Sequence, residues 1–140
     1  MSIKNIKKLK VPLIKEKNGN LAFVEFRKEK KFNIKRVFFV TTGKSSIRGK
    51  HAHKKISQII ICLAGKIEIE CDDGINKKKF VLNKITEGLV IPNMIWSVLN
   101  YKSKNSTIAV LCDGYFDEKE YIRNYDKFKK ACLKIHKKYS

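Results

Sequence analysis

Between residues 21 and 109 the chain is divided into short segments rich in β-branched and aromatic residues, which turn residues separate at roughly 8–12-residue intervals. In the clearest segment, residues 66–71, Ile67, Ile69 and Cys71 alternate with polar residues and share one face of a strand. Asp73-Gly74 follows as a tight-turn signal. Strands this short and closely spaced predict a mostly β, antiparallel sandwich or barrel. Other predicted strands cover residues 21–26, 34–42, 57–64, 79–82, 89–91, 95–99 and 107–113.

The pattern changes at Asp117, where Asp117 and Glu120 form a capping-box-like start. Apolar residues then recur at helical spacing, which predicts a helix over about residues 118–137 that packs on the barrel: Tyr121, Ile122, Tyr125, Phe128, Cys132 and Ile135. Core packing is the favoured interpretation of this stripe, and a binding site is the alternative. With no repeat or linker, residues 1–140 are predicted to form a single domain.

The net charge of +19 raises the question of a polyanionic partner. Only Arg27, Arg36, Arg48 and Arg123 of the 32 cationic residues are arginine, the side chain best suited to guanine edges and phosphates. The charge therefore predicts a solvated, lysine-rich surface, or a general attraction for anionic ligands such as nucleotides. A nucleic-acid partner would rest on charge alone and is not predicted.

The cysteines are widely spaced and form no Cys-x-x-Cys pair: Cys62, Cys71, Cys112 and Cys132. The N-terminus carries no apolar signal segment, and no apolar run is long enough to cross a membrane. These features predict reduced, mostly buried thiols in a cytoplasmic protein without a membrane partner. None of the cysteines is singled out as a nucleophile.

The segment Arg48-Gly49-Lys50-His51-Ala52-His53 carries the strongest chemical signal. His51 and His53 are separated by one residue, so on a strand both imidazoles point to the same face. The chain has only three histidines, and His136 lies alone near the lysine-rich C-terminus. The alternative to a functional pair is a surface pair without a role.

This segment resembles the first signature of the cupin barrels, in which a His-x-His pair is followed by an acidic residue and a glycine. Gln58 stands at the position of the acid, and Gly65 at that of the glycine. The second cupin signature corresponds to residues 92–100, with Met94 in place of its glycine and Ser97 in place of its histidine. The resemblance implies a cupin, or jelly-roll, barrel with the double-stranded β-helix topology.

Metal-binding cupins use three histidines and a carboxylate. Gln58 and Ser97 are poor substitutes, so His51 and His53 alone would bind a metal weakly. We therefore expect an enzyme that is active without metal, and full activity after chelation would support this. A metal-dependent cupin such as a dioxygenase is the weaker alternative.

Four segments narrow the resemblance to the sugar 3,4-ketoisomerases: residues 34–39, 48–55, 58–65 and 115–126. Gly88-Leu89, Pro92 and Trp96 extend it. The resemblance covers nearly the whole chain. It implies conversion of dTDP-4-keto-6-deoxyglucose to a dTDP-3-keto-6-deoxyhexose through an enediol or enediolate, without a cofactor, in a pathway to a 3-amino sugar. It also implies a homodimer.

By this resemblance, His51 is the base that moves the proton, and His53 assists by proton relay or by hydrogen bonding to the sugar. Arg48 and Arg36 are implied to contact the sugar or the diphosphate, although Arg48 could instead stabilise its loop. Trp96 either lines the barrel mouth or, as the favoured interpretation, lies in the core. Arg123 is interpreted as one half of a structural ion pair.

The chain departs from the family at three positions near the implied site. Phe38 replaces a tyrosine of the family's active site, and Ser97 replaces histidine or arginine. Asn18 stands where the family has tyrosine or arginine. Because Asn18 and Ser97 match neither pattern linked to product stereochemistry, both the galacto and the gluco product stay open. A non-catalytic sugar-nucleotide-binding cupin is the principal alternative function.

Overall fold

The structure is a computed structural model that describes residues 2–27 and 31–139. These residues form twelve strands and one α-helix, α1 (Tyr125–Tyr139), with short 3-10 helices at Ile3–Asn5 and Glu118–Glu120. The strands are β1 (Lys7–Lys10), β2 (Leu13–Glu16), β3 (Gly19–Ala22), β4 (Arg36–Thr41), β5 (Ser46–His53), β6 (Gln58–Ala64), β7 (Ile67–Asp72), β8 (Lys77–Leu82), β9 (Glu87–Ile91), β10 (Trp96–Tyr101), β11 (Thr107–Cys112) and β12 (Tyr121–Ile122).

The strands form two five-stranded antiparallel sheets and one separate hairpin. One sheet has the order β1-β9-β6-β11-β4, the other has the order β12-β5-β10-β7-β8, and β2 pairs with β3. Except for the β7–β8 hairpin, neighbouring strands within the two sheets come from distant parts of the chain, as in a jelly roll. The predicted fold class, a mostly β cupin barrel with a C-terminal helix, is confirmed.

The alternating pattern of β7 places its apolar residues in the core between the sheets. Ile67, Ile69 and Cys71 are completely buried, as their period of two predicts. The predicted turn after β7 also forms: Asp73 Oδ1 accepts hydrogen bonds from the backbone N–H groups of Ile75 and Asn76 at 3.0 and 2.8 Å. The four cysteines are unpaired and buried.

The N-terminal segment contains strands that the sequence did not reveal. β1 and β2 precede residue 21, and lysines interrupt their apolar pattern. The predicted strand over residues 21–26 ends at Ala22, because the chain then crosses the outer face of a sheet. There Val24 and Phe26 pack against Ile59 and Ile61 of β6.

The C-terminal helix begins at Tyr125 rather than at about residue 118. Asp117 does act as a cap: its side chain accepts a hydrogen bond from Lys119 N. The element that it caps is the single 3-10 turn Glu118–Glu120 and not α1. The chain then extends, and Tyr121 and Ile122 pair with β5. A second cap, Asn124 Oδ1, accepts a hydrogen bond from Lys127 N at 2.9 Å where α1 starts.

The apolar stripe of α1 packs on the outer face of the sheet that contains β5 and β10. Phe128 is completely buried and Cys132 nearly so, against Ala52, Met94 and Trp96. This contact corresponds to the core interpretation of the stripe. Within the described residues, neither α1 nor either 3-10 helix has the length and apolarity that crossing a membrane would require.

Candidate functional site

A cavity of about 440 Å³ lies inside the barrel. Much of its wall is apolar, formed by Phe38, Val40, Ile60, Leu99, Ile108 and Val110. Its polar lining comes from Arg48, His51, Gln58, Ser97, Tyr101, Tyr121 and Arg123. An apolar cavity with a few converging polar groups is the usual form of a small-molecule site.

The two predicted histidines stand side by side, and His51 lines this cavity, whereas His53 is buried behind it and is not among the lining residues. β5 lies between β10 and β12, where His51 is opposite Ser97 and His53 is opposite Tyr121. The imidazole centroids are 5.1 Å apart, and the ring planes are nearly perpendicular at 89°. The spacing of two residues therefore brings both rings to one place, as strand geometry predicts.

Hydrogen bonds from the turn after β5 fix the end of β5, the strand that carries His51 and His53. Glu120 Oε2 accepts from the backbone N–H groups of Lys55 at 2.9 Å and Ile56 at 3.2 Å, and its carbonyl oxygen accepts from Lys54 N at 3.0 Å. Asp113 Oδ1 accepts from Ser57 N at 2.8 Å. These acceptors join the turn to the segment that carries β12, and so hold Tyr121 against His53.

His53 is buried without a hydrogen-bonding partner for its ring. Its side chain is 5% exposed, and neither ring nitrogen has a partner among the described residues. Burial lowers the pKa of His53 to about 4, and the neighbouring His51 and Arg36 act in the same direction. Burial also lowers the pKa of His51 from its ordinary value. Both imidazoles are consequently neutral near pH 7.

Tyr121 joins the two histidines to a predicted arginine, and the sequence analysis did not include it among the site residues. Its ring centroid lies 5.0 Å from that of His51 and 4.5 Å from that of His53. Its hydroxyl accepts a hydrogen bond from Arg36 Nη2 at 3.2 Å. Tyr121 lies within residues 115–126, which resemble the sugar 3,4-ketoisomerases. Because it also fits the apolar helical stripe, it was predicted to be a residue of the C-terminal helix.

Arg123 was predicted to form a structural ion pair, and it does so while also lining the cavity. Its Nε and Nη2 donate to the two carboxylate oxygens of Glu118 at 2.6 and 3.2 Å. Its guanidinium lies 4.3 Å from the Tyr121 ring centroid. Arg123 and Arg36 both act electrostatically on His53, and Arg48 also lines the cavity, so the site carries positive charge suited to an anionic ligand.

The remaining predicted residues divide between the cavity and other surroundings. Ser97 lines the cavity beside His51, whereas Trp96 points to the opposite face and packs 5.3 Å from the Tyr125 ring, centroid to centroid. Asn18 lies in the exposed turn of the β2–β3 hairpin and is not part of the cavity wall. Phe38 lines the cavity and contributes no hydroxyl there.

Gln58 occupies the position of the acidic residue in the cupin signature. Its side chain is buried, and Nε2 contacts Cys112 Sγ at 3.5 Å. Over residues 2–27 and 31–139, no three His, Cys, Asp or Glu side chains are grouped so that they could hold a metal ion.

Comparison with known proteins identifies a matching family and a relative of known activity. The FdtA family, described as WxcM-like, C-terminal, matches residues 4–133. A relative from Aneurinibacillus thermoaerophilus, TDP-4-oxo-6-deoxy-alpha-D-glucose-3,4-oxoisomerase, is 37% identical over 123 residues, which cover 86% of this chain and 88% of the relative.

Solved structures agree with the sequence comparison. The chain superposes with a TM-score of 0.88 on QdtA, a sugar 3,4-ketoisomerase from Thermoanaerobacterium thermosaccharolyticum solved with TDP, at 34% identity over 95% of this chain and 98% of QdtA. A histidine-to-asparagine variant of QdtA was solved with TDP-4-keto-6-deoxyglucose. The TDP-fucose-3,4-ketoisomerase WlaRA from Campylobacter jejuni gives a TM-score of 0.80 and 40% identity over 91% and 95% of the two chains.

The barrel and its histidine-containing cavity define the class as a cupin-type isomerase, in agreement with these matches. The chain belongs to the FdtA family, together with these sugar 3,4-ketoisomerases.

The unpartnered imidazole of His53 predicts a loss of stability in acid. Because the folded-state pKa of His53 is about 4 and the unfolded value is near 6.5, the unfolded chain binds more protons between these values. The free energy of unfolding should therefore fall as pH decreases from about 6.5 to about 4, by at most about 1.4 kcal/mol per pH unit for this histidine.

Urea unfolding at several pH values measures this slope. A His53→Gln variant, which lacks the titrating ring, should have a shallower pH dependence than the unmodified protein. Equal slopes in the two proteins would contradict a neutral, buried His53.

Proposed function

We propose that this chain is a sugar-nucleotide 3,4-ketoisomerase that converts dTDP-4-keto-6-deoxyglucose to a dTDP-3-keto-6-deoxyhexose. It acts as one cupin domain in the cytoplasm, without metal or cofactor, and its 3-keto product serves a pathway to a 3-amino-3,6-dideoxyhexose. The relative from Aneurinibacillus thermoaerophilus supports the reaction type, and QdtA, with its TDP and TDP-4-keto-6-deoxyglucose complexes, supports the substrate class.

One observation carries the proposal: His51 is a neutral imidazole at the wall of a cavity that can hold a sugar. A neutral imidazole can accept the acidic proton at C3, beside the C4 ketone, which produces an enediol or enediolate and leaves imidazolium. Return of a proton to C4 completes the transfer and leaves the carbonyl at C3. The hydrogen moves as a proton, so no redox partner is needed.

The arginines around the cavity support binding of an anionic nucleotide sugar. Arg48 and Arg123 line the cavity, and Arg36 reaches its edge through the Tyr121 hydroxyl. Guanidinium groups bind phosphate through charge-assisted hydrogen bonds. We assign Arg48 to the diphosphate and Arg36 to orientation of Tyr121, and Ser97 to the sugar. The core packing of Trp96 favours a structural role for its ring.

His53 assists His51 as a neutral hydrogen-bonding group. With a pKa of about 4, it stays uncharged while His51 exchanges protons. Its two nitrogens have no partner but are buried outside the cavity wall, which favours a relay with His51 over direct hydrogen bonding to the sugar oxygens. Tyr121 supplies a hydroxyl at the same place, although Phe38 lacks one.

A non-catalytic nucleotide-sugar-binding protein is the second candidate. It is favoured by Phe38 and Ser97, which lack the tyrosine hydroxyl and the basic side chain found in the family. Such a protein would bind the 4-keto sugar nucleotide and leave it unchanged.

Replacement of the proposed base tests the catalytic role. A His51→Asn variant should fold normally but convert dTDP-4-keto-6-deoxyglucose to the 3-keto product about 10²–10⁴-fold more slowly, the usual contribution of a general base. NMR of the reaction mixture measures the rate. His136→Asn, in α1, is the matched control and should keep the original rate. A folded His51→Asn protein with undiminished turnover would refute the proposed role.

We also propose that the protein is a homodimer that uses the outer face of β4. β4 is the edge strand of its sheet, and its outward side chains include Val37 at 48% and Phe39 at 68% exposure. Exposed apolar side chains on an unpaired edge favour association with another surface.

Sedimentation measures the assembly directly. The protein should have twice the 16.3 kDa mass of the chain, and Phe39→Glu should shift it toward the monomer. Ile75→Glu, at an exposed residue in the turn between β7 and β8, is the control and should leave the mass unchanged. A monomeric unmodified protein would exclude the dimer.

A further inference from the structure

β5 contains one residue more than the strand beside it, immediately before His51. Ser97 is paired with His51, but the next residue of β10, Val98, is paired with Gly49, so that Lys50 has no counterpart. Gly49 and Lys50 both have left-handed backbone conformations, with φ values of 81° and 59°. This arrangement is a β-bulge.

The bulge determines which side chains enter the cavity. On a regular strand, residues three apart point to opposite faces. Arg48 and His51 are three residues apart, yet both line the cavity. Arg48 pairs with Leu99, and His51 with Ser97, two residues of β10 that also face inward.

A strand without the bulge would have a different register. If the pairing of His51 with Ser97 continued without interruption, Arg48 would lie opposite Asn100. Asn100 alternates with the inward-facing Leu99 and Tyr101 and is absent from the cavity wall. The guanidinium of Arg48 would then point away from the histidines.

We propose that the Gly49–Lys50 bulge is a positioning element that holds Arg48 on the cavity face, where its guanidinium binds the diphosphate of the substrate. This inference rests on the proposed function, since it assigns the diphosphate to Arg48. In dTDP binding, Gly49 and Lys50 act through Arg48.

Position 49 requires glycine for two reasons. Its φ of 81° disfavours any side chain, and an added Cβ would lie 2.9 Å from Leu99 Cδ1 and 3.0 Å from the backbone oxygen of Ser97. The Leu99 methyl group can rotate, but the Ser97 carbonyl belongs to the strand opposite His51. A side chain at position 49 therefore opposes both the bulge and the pairing that forms it.

Lys50 shows that the surroundings impose this geometry. A left-handed conformation is unfavourable for a residue with a Cβ and persists where neighbouring structure enforces it. A β-branched residue at position 50 would disfavour the left-handed conformation further. Lys50→Val thus perturbs the bulge by a different route from Gly49→Ala.

Calorimetric titration with dTDP tests the inference, and circular dichroism confirms that each variant is folded. Loss of the charge-assisted bonds of Arg48 should weaken dTDP binding about 10- to 100-fold in Arg48→Ala. Gly49→Ala and Lys50→Val should each weaken it comparably. Gly43→Ala is the matched control, because an added Cβ there meets nothing within 4 Å, and it should bind as the unmodified protein does.

Combination with Arg48→Ala distinguishes positioning from general damage. If the bulge acts through Arg48, Gly49→Ala should cause no further loss of dTDP affinity in the Arg48→Ala background. Undiminished affinity in folded Gly49→Ala and Lys50→Val, or fully additive losses, would overturn the inference while leaving the proposed function intact. If the unmodified protein neither binds dTDP nor converts the keto sugar, the proposed function itself fails and the inference fails with it.

Discussion

The pairing of β5 between β10 and β12 is the interaction on which the site depends. It sets His51 opposite Ser97 and His53 opposite Tyr121, so the ladder of backbone hydrogen bonds determines where each ring lies. Outside the barrel, α1 packs on the same sheet, and Tyr125 donates a hydrogen bond to Asp72 at 2.6 Å. The helix thus supports the strands from behind, while their opposite face remains available to the ligand.

Burial and charge act together on the two imidazoles. Their low exposure favours the neutral ring, and the nearby arginines oppose protonation further for His53. The same arginines suit a dianionic diphosphate. The charge relevant to binding is therefore local, at the cavity, whereas the dispersed lysines contribute a general field around the molecule.

The sequence revealed the features that depend on a simple period. Alternation in residues 66–71 predicted the buried face of β7, and the spacing of His51 and His53 predicted two adjacent rings. It did not reveal the bulge at Lys50, because a bulge is defined by the partner strand and leaves no periodic trace. The predicted start of the C-terminal helix was wrong for a related reason. Tyr121 fits the helical stripe, but its pairing with β5 outweighs that local preference.

In the proposed reaction, this histidine pair moves a proton from C3 to C4 of a nucleotide-linked keto sugar. Incubation with dTDP-4-keto-6-deoxyglucose in D₂O, followed by proton NMR, follows that transfer. We expect a 3-keto product that carries deuterium at C4, and the same spectrum assigns the galacto or gluco configuration there. Binding of the sugar nucleotide without exchange or isomerisation would contradict it.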